Sequence, residues 1–231
     1  FYKSLYKKRK KLLLSSRVDS TELLFSEVKK QNITLDAFIS ASAIGYYGSL
    51  NSEDIFLETH KNGTDFLSKI CYEWESSAKK FKKEALSKRV GIARIGIILS
   101  DNGGALGEII KPFKFGLGSV VGNGEQYVPW IHISDMCSIL NFMITNSSID
   151  GTYNSVAPQH TNNKDLSVLI GKIMKRPIWL PNVPGFIFKV VFGEMSTILL
   201  KGSRVSSEKL ISKGFNFQYK NLKTALENIL K

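Results

Sequence analysis

An almost wholly apolar run, VGIARIGIIL at 90–99, limits most strongly what this chain can fold into. A strand that is apolar on both of its alternating faces is typical of a parallel sheet, because helices cover both surfaces of such a sheet. A second strand is predicted at 32–44, and apolar residues at helical spacing over 65–86 lie between the two. Strand, helix and strand in this order predict a right-handed βαβ crossover, and therefore an α/β fold with a parallel sheet.

The remaining elements follow from the same periodicities. Helices are predicted at 1–30, within the glycine-rich region 101–130, from Ser134 or Asp135, from Asn162 or Asn163, at 184–201, at 206–213 and from Asn221. GTYNSVAP at 151–158 is predicted as a strand, and GFNFQY at 214–219 is predicted as a strand or turn. Parallel strands followed by a mixed tail predict a doubly wound sheet with a smaller lobe. Ligands of such sheets bind at the carboxyl ends of the strands, where SASAIGYYG and LSDNGGALG lie.

The net charge of +12 admits a nucleic-acid partner, since Lys and Arg concentrate at 3–11 and 79–89. These runs lack interleaved aromatic residues for base stacking, which favours a solvated helix face instead. Apolar segments are too short or too interrupted to span a bilayer, so no membrane partner is predicted. Cys71 and Cys137 fall within apolar patterns and are predicted to be buried thiols of a reducing compartment, which indicates a cytoplasmic protein.

Short sequence motifs do not identify a binding site by themselves. The G-x-G-x-x-G fingerprint of a dinucleotide fold is absent. GGALG at Gly103–Gly107 has the placement of an anion site at a helix N-terminus, but no second strand ending in an acid follows, so a structural loop is favoured. His132 is interpreted as a packed core residue, and the scattered histidines and cysteines predict no metal site.

Five segments taken in order carry a family resemblance: SASAIGYYG, GIARIGIILSDNGGAL, PFKFGLG, GNGEQYVPWIHISD and YNSVAP. Together they resemble the extended short-chain dehydrogenase/reductase superfamily, in its epimerase-like branch of cell-division inhibitors and nucleoside-diphosphate-sugar epimerases with a distinctive C-terminal domain. The resemblance implies a Rossmann-like cofactor domain at 1–105 and 130–157, and a mixed α/β substrate-side lobe at 106–129 and 158–231. Family members begin with a glycine-rich strand, loop and helix, which implies that the native protein extends before Phe1.

The resemblance also implies an NADP cofactor. The residues that it places at the cofactor are Ser16, Arg17, Ser40, Ala41, Ser42, Arg94, Gly96 and Ile98. An arginine at the position of Arg17 faces the cofactor in the family, and a guanidinium suits phosphate or ribose. Ile98 would lie near the nicotinamide, and Arg94 would point toward the active-site cleft.

The superfamily's catalytic set is a serine, a tyrosine and a lysine, in which the lysine and the cofactor ribose lower the tyrosine pKa. Ser42 takes the serine position. The register, marked by Glu75, puts Leu67 and Cys71 at the tyrosine and lysine positions, and neither side chain can do that chemistry. One of the adjacent tyrosines, Tyr46 or Tyr47, is therefore the candidate acid.

Three functions stay open. The first is an NADP-binding epimerase-like oxidoreductase of unknown small-molecule substrate that lacks the usual Tyr-x-x-x-Lys pair. The second is a catalytically inactive cofactor-binding protein of the same fold with a regulatory or interaction role. The third, less favoured, is a basic nucleic-acid binder. Long helices beside the sheet often pair in relatives, so a homodimer is one expected assembly.

Overall fold

The computed structural model describes residues 2–49, 52–101, 103–185 and 201–231, with side chains from residue 10 onward. The helices are α1 (Tyr2–Lys30), α2 (Phe66–Lys83), α3 (Gly104–Lys114), α4 (Ile133–Thr145), α5 (Asn163–Ile173), α6 (Glu208–Ser212) and α7 (Leu222–Leu230). The strands are β1 (Phe38–Ala43), β2 (Ser52–Phe56), β3 (Val90–Ile95), β4 (Ile97–Leu99), β5 (Trp130–His132), β6 (Gly151–Ser155) and β7 (Ser203–Val205). A 3₁₀ turn at Ile44–Tyr47 follows β1. The predicted α/β class is confirmed.

The chain divides into two compact units. The first contains Phe1–Gly48, Lys61–Arg94 and Leu140–Tyr153, and the second contains Ser49–His60, Ile95–Ile139 and Asn154–Lys231. The domain boundaries implied by the family resemblance stay a prediction. None of the helices in the described part of the chain combines the length and the hydropathy that crossing a bilayer requires.

The first unit is built on the predicted strand, helix and strand. Its sheet has the order β1-β3-β6, and a parallel bridge joins Leu35 to Ser87 just before β1 and β3. The connecting helix α2 begins after Asp65, whose carboxylate accepts the N–H of Ser68 at 2.9 Å. Phe81 of α2 stacks on Phe38 of β1 with ring centroids 3.8 Å apart, so the helix is held against the sheet by buried aromatic contact.

The run VGIARIGIIL forms two strands, and the single strand predicted for it is wrong. A side chain at Gly96 would bring its Cβ within 2.6 Å of the carbonyl oxygen of Pro129, so only glycine fits there. The Gly96 N–H donates to the carbonyl of Ser155 at 3.1 Å. Beyond this point β4 pairs in parallel with β5 in a separate two-stranded sheet.

The second unit has its own apolar core. Its buried members are Leu99, Leu106, Ile110, Phe113, Val128, Trp130, Ala157, Leu166, Ile170, Leu222, Ala225 and Leu226. Apart from Val128 and Ala157, they come from α3, α5 and α7 packed on β4 and β5, which explains the amphipathic pattern of these three helices. A second parallel pair in this unit joins β2 to β7.

The start of α4 differs from the expected N-cap at Ser134 or Asp135. The ring Nδ1 of His132 accepts the N–H of Ser134 at 3.1 Å and takes the capping role. The carboxylate of Asp135 instead accepts the N–H groups of Gln218 at 2.8 Å and Tyr219 at 2.9 Å. An acidic residue in the first turn thus ties this helix to the segment before α7.

Other local predictions have mixed outcomes. Asn162 and Asn221 cap α5 and α7 through their side-chain oxygens, as expected for asparagine. GFNFQY forms no strand. Cys71 is buried as predicted, but Cys137 is exposed, so that prediction was wrong for it. The helix predicted at 184–201 falls largely on 186–200, outside the described residues.

His132 should make stability depend on pH. Its Nε2 lies 3.1 Å from Asn228 Oδ1, so the neutral ring bonds at both nitrogens, and burial lowers its pKa below the ordinary 6.5. The unfolded state therefore takes up the proton first, and stability falls as the pH drops through 6.5.

We expect His132→Asn, which keeps a capping oxygen but cannot titrate, to reduce the loss of unfolding free energy between pH 7 and pH 5. Urea denaturation at the two pH values measures it. His160, whose pKa is also lowered, leaves a residual slope. Equal slopes in the variant and the parent protein would contradict this account.

Candidate active site

A buried hydrogen-bonded network lies near the carboxyl ends of β1 and β3. The hydroxyl of Ser42 donates to Oε1 of Glu75 at 2.9 Å, and these side chains are 2% and 1% exposed. Arg94 donates through Nε to Glu75 Oε1 at 2.7 Å and through Nη2 to Oε2 at 2.9 Å. The two charges form a bidentate ion pair, the strongest geometry available to these groups.

The remaining nitrogen of Arg94 is also engaged. Nη1 donates to the hydroxyl of Tyr47 at 3.0 Å, and the Tyr46 ring lies over the guanidinium with its centroid 3.4 Å from Cζ. Burial opposes the charge on Arg94, but the hydrogen bonds and charge of Glu75 outweigh it and raise its pKa above the ordinary value. The guanidinium is thus a fixed cation that holds both tyrosines of the turn.

The sequence folds this way locally because two opposite charges sit within apolar patterns. Glu75 lies on the buried face of α2 with Ile70 and Ala78, and Arg94 lies within the buried strand β3. Either charge left alone in the interior would be strongly destabilising, so the two come together. Gly48, with φ 85°, then closes the 3₁₀ turn that carries the tyrosines.

Leu67 and Cys71, at the expected tyrosine and lysine positions, lie directly against this turn. A Cβ at Gly45 would be 3.7 Å from both the Leu67 Cβ and the Cys71 Sγ. Burial raises the pKa of the Cys71 thiol to about 11, against the weaker effect of its hydrogen bonds to Ala43 and Ser42. The thiol is therefore neutral at pH 7 and supplies no positive charge in place of a lysine.

A second cationic group, at Arg17 on α1, has different surroundings. Its Nη1 donates to the carbonyl of Leu13 at 3.1 Å and to Ser16 Oγ at 3.0 Å, and its Cζ lies 5.5 Å from the Trp74 ring centroid. Within the described ranges, no carboxylate pairs with this guanidinium. Its donors are of the kind that bind phosphate or ribose oxygens, so Arg17 fits a dinucleotide cofactor.

The predicted site residues fall into four groups. Ser42, Tyr46, Tyr47 and Arg94 meet in the buried network, whereas Ser16 and Arg17 are neighbours on α1. Ser40 is buried and donates to the carbonyl of its neighbour Ala41 at 3.0 Å. Gly96 and Ile98 belong to the second unit, where Ile98 pairs with Ile131.

Sequence reasoning missed the central residue of the network. From the sequence, Glu75 only marked the register of the expected Tyr-x-x-x-Lys pair, yet its carboxylate joins Ser42 to Arg94. The signal was a carboxylate on the apolar face of a helix together with an arginine in an apolar strand. Such a pair of unlike buried charges predicts an ion pair, although it does not say which hydroxyl groups join it.

Comparison with known proteins assigns the family. Residues 183–229 match a domain of unknown function, DUF1731. An epimerase family protein of Staphylococcus aureus (strain NCTC 8325 / PS 47) is 37% identical over 228 residues, which covers 96% of this chain and 73% of that protein. The chain belongs to the epimerase family. This confirms the epimerase-like branch to which the sequence motifs pointed.

Solved structures agree with this assignment. Human epimerase family protein SDR39U1 (isoform 2), crystallised with NADPH, is 28% identical with a TM-score of 0.87, covering 96% of this chain and 74% of the human one. The nucleoside-diphosphate sugar epimerase from Corynebacterium glutamicum is 27% identical with a TM-score of 0.78, covering 96% and 43%. The predicted Rossmann-like fold is confirmed for this member of the epimerase family.

Breaking the central ion pair should be costly. We expect Glu75→Ala to lower the free energy of unfolding by about 3–5 kcal/mol, because Arg94 is left as an uncompensated buried charge. The double variant Glu75→Leu/Arg94→Met should recover most of this loss, since no buried charge is left in it. Urea denaturation at pH 7 measures both.

Lys79→Ala is the matched control. Lys79 contacts the same carboxylate at 3.4 Å, but its side chain is 55% exposed, so we expect a change within about 1 kcal/mol. A double variant no more stable than Glu75→Ala would show that hydrogen bonding, and not charge compensation, dominates the network.

Proposed function

We propose that this protein is an NADP-binding, epimerase-like oxidoreductase of a small-molecule substrate that works without the usual Tyr-x-x-x-Lys pair. The observation that carries the proposal is the match, over 96% of this chain, to a human relative crystallised with NADPH. Arg17 supports it, because its guanidinium has donors suited to the cofactor and no carboxylate partner within the described residues.

The chemistry would use the hydroxyl groups around Arg94. NADPH, when bound, would supply the hydride for reduction of a carbonyl carbon. In the proposal, Tyr46 or Tyr47 gives a proton to the carbonyl oxygen, and Ser42 would hold that oxygen once its hydroxyl turns from Glu75 Oε1, to which it donates in this structure. Tyr47 is held by Arg94 at 3.0 Å and is buried, while Tyr46 is half-buried over the guanidinium and is therefore easier for a substrate to reach.

A second candidate is a cofactor-binding protein of the same fold that has lost catalysis. The neutral thiol of Cys71 and the aliphatic side chain of Leu67 favour it, because neither can lower a tyrosine pKa or transfer a proton at pH 7. The Ser42 hydroxyl also donates its hydrogen to Glu75 and does not offer it to a substrate. Such a protein would bind NADPH and report its level to a partner.

A cytoplasmic location and a homodimer, with no nucleic-acid partner, complete the proposal. The location and the absence of a nucleic-acid partner rest on sequence patterns, and the homodimer rests on the family resemblance. Salt-sensitive binding to random duplex DNA, driven by the +12 charge, would contradict the last part.

Cofactor binding is the first test. We expect NADPH to raise the thermal midpoint of the full-length protein, and Arg17→Ala to weaken NADPH binding about tenfold to a hundredfold, the range for a lost charge-assisted hydrogen bond. NADPH fluorescence titration measures the dissociation constant. Lys11→Ala removes a similar charge from an exposed position on the same helix and should leave it unchanged. Equal affinity of Arg17→Ala and Lys11→Ala would refute the placement of Arg17.

Turnover separates the two candidates. With NADPH and a panel of carbonyl compounds and nucleotide sugars, we expect the loss of NADPH absorbance to be slowed about 100-fold or more by Tyr46→Phe or Tyr47→Phe, whichever removes the acid. NADPH affinity should be unchanged in both variants. Binding without turnover across the panel would favour the inactive protein, and full activity in both variants would exclude either tyrosine as the acid.

A further inference from the structure

A charged cluster in the second unit plays no part in the site described above. Arg204 on β7 and Glu53 on β2 lie on paired parallel strands, and Nη2 of the arginine is 3.2 Å from Oε2 of the carboxylate. The hydroxyl of Tyr127 donates to the same oxygen at 3.3 Å. The Tyr127 ring centroid lies 5.3 Å from Arg204 Cζ, so the ring supports the guanidinium from one face.

The Nε of Arg204 is buried and has no hydrogen-bond acceptor within the described part of the chain. A buried N–H without an acceptor is destabilising, and such groups are rare in folded proteins. Nε and Nη2 form one edge of the guanidinium, spaced to bind two oxygens of a single anion. Here only Nη2 is used, so half of a bidentate anion site is unfilled.

Glu53 is a poor partner for this edge. Its side chain is 82% exposed, whereas that of Arg204 is only 26% exposed. It offers one oxygen at 3.2 Å, and an ion pair with a solvated carboxylate contributes little. An anion that brought two oxygens to Nε and Nη2 could displace the Glu53 carboxylate into water, where that group is well solvated.

The charge of Arg204 also acts on a second side chain, that of His160. His160 lies in the loop after β6, and partial burial, followed by the charge of Arg204, holds its pKa below the ordinary value. A dianion bound at Arg204 would offset the charge of the arginine and so raise the pKa of His160. The donor edge of Arg204 suits two oxygens of one phosphate, and a doubly charged group is attracted more strongly to this guanidinium than a singly charged carboxylate is.

We propose that Arg204, supported by the Tyr127 ring, is a binding subsite for the phosphate group of a small molecule, with Glu53 occupying the place of that group when no ligand is bound. The subsite lies in the second unit and does not depend on the NADP cofactor proposed above. Free phosphate and a phosphate monoester share the chemistry, so both serve as probes.

The test measures binding of inorganic phosphate and of glucose 1-phosphate by calorimetry, at constant ionic strength balanced with chloride. We expect Arg204→Met to weaken both at least about tenfold, because the bidentate donor edge is lost. Arg204→Lys, which keeps the charge but not the edge, should recover only part of the affinity. Arg176→Met removes an exposed arginine of the same unit and should change neither affinity.

Glu53→Gln gives an effect of opposite sign. Removing the competing charge should tighten phosphate binding severalfold, because the ligand no longer displaces a carboxylate. Tighter binding of glucose 1-phosphate than of phosphate would assign the subsite to an organic substrate, and equal affinities would assign it to the free anion.

Imidazole NMR gives an independent readout. Saturating phosphate should raise the pKa of His160 in the parent protein and leave it unchanged in Arg204→Met. The proposal is overturned if phosphate does not bind the parent protein, if Arg204→Met binds it equally well, or if Glu53→Gln weakens binding.

Discussion

The bidentate contact between Glu75 and Arg94 is the interaction on which the first unit depends. It joins α2 to β3, and through Ser42 and Tyr47 it also reaches β1 and the turn that follows. Because both charges are buried, a slip of α2 along the sheet would leave each without its partner. The pair therefore contributes more to selecting one packing of this helix than to net stability.

Much of the fold could be predicted because its signals are local. Apolar periodicity located α2 and the strands around it. A helix capped by Asn162 or Asn163 and another beginning at Asn221 were also expected, because an asparagine side chain bonds the first turn that follows it. The break at Gly96 could not be predicted, since it depends on the approach of the Pro129 carbonyl from elsewhere in the chain. Asp135 likewise bonds Gln218 and Tyr219, 83 and 84 residues away.

The site was predictable only in part. Family resemblance proposed Ser42, and Tyr46 or Tyr47 became the candidate acid because Leu67 and Cys71 cannot act. The structure brings Ser42 and both tyrosines into one network with Arg94. No local sequence pattern shows which donor and which acceptor each hydrogen bond joins. Ser42 donates to Glu75, and the three nitrogens of Arg94 bond Glu75 and Tyr47, which makes Arg94 a support for the turn. The placement of Arg17 at the cofactor stays a prediction.

The two cysteines of this chain have opposite environments. The thiolate is the reactive form of cysteine, and the Cys71 thiol, buried with its pKa raised to about 11, is almost wholly protonated at neutral pH. Cys137, exposed on α4, is open to reagents. A maleimide dye would therefore attach to this chain at one point without any engineered substitution, and oxidative damage would spare the thiol that lies beside Ser42.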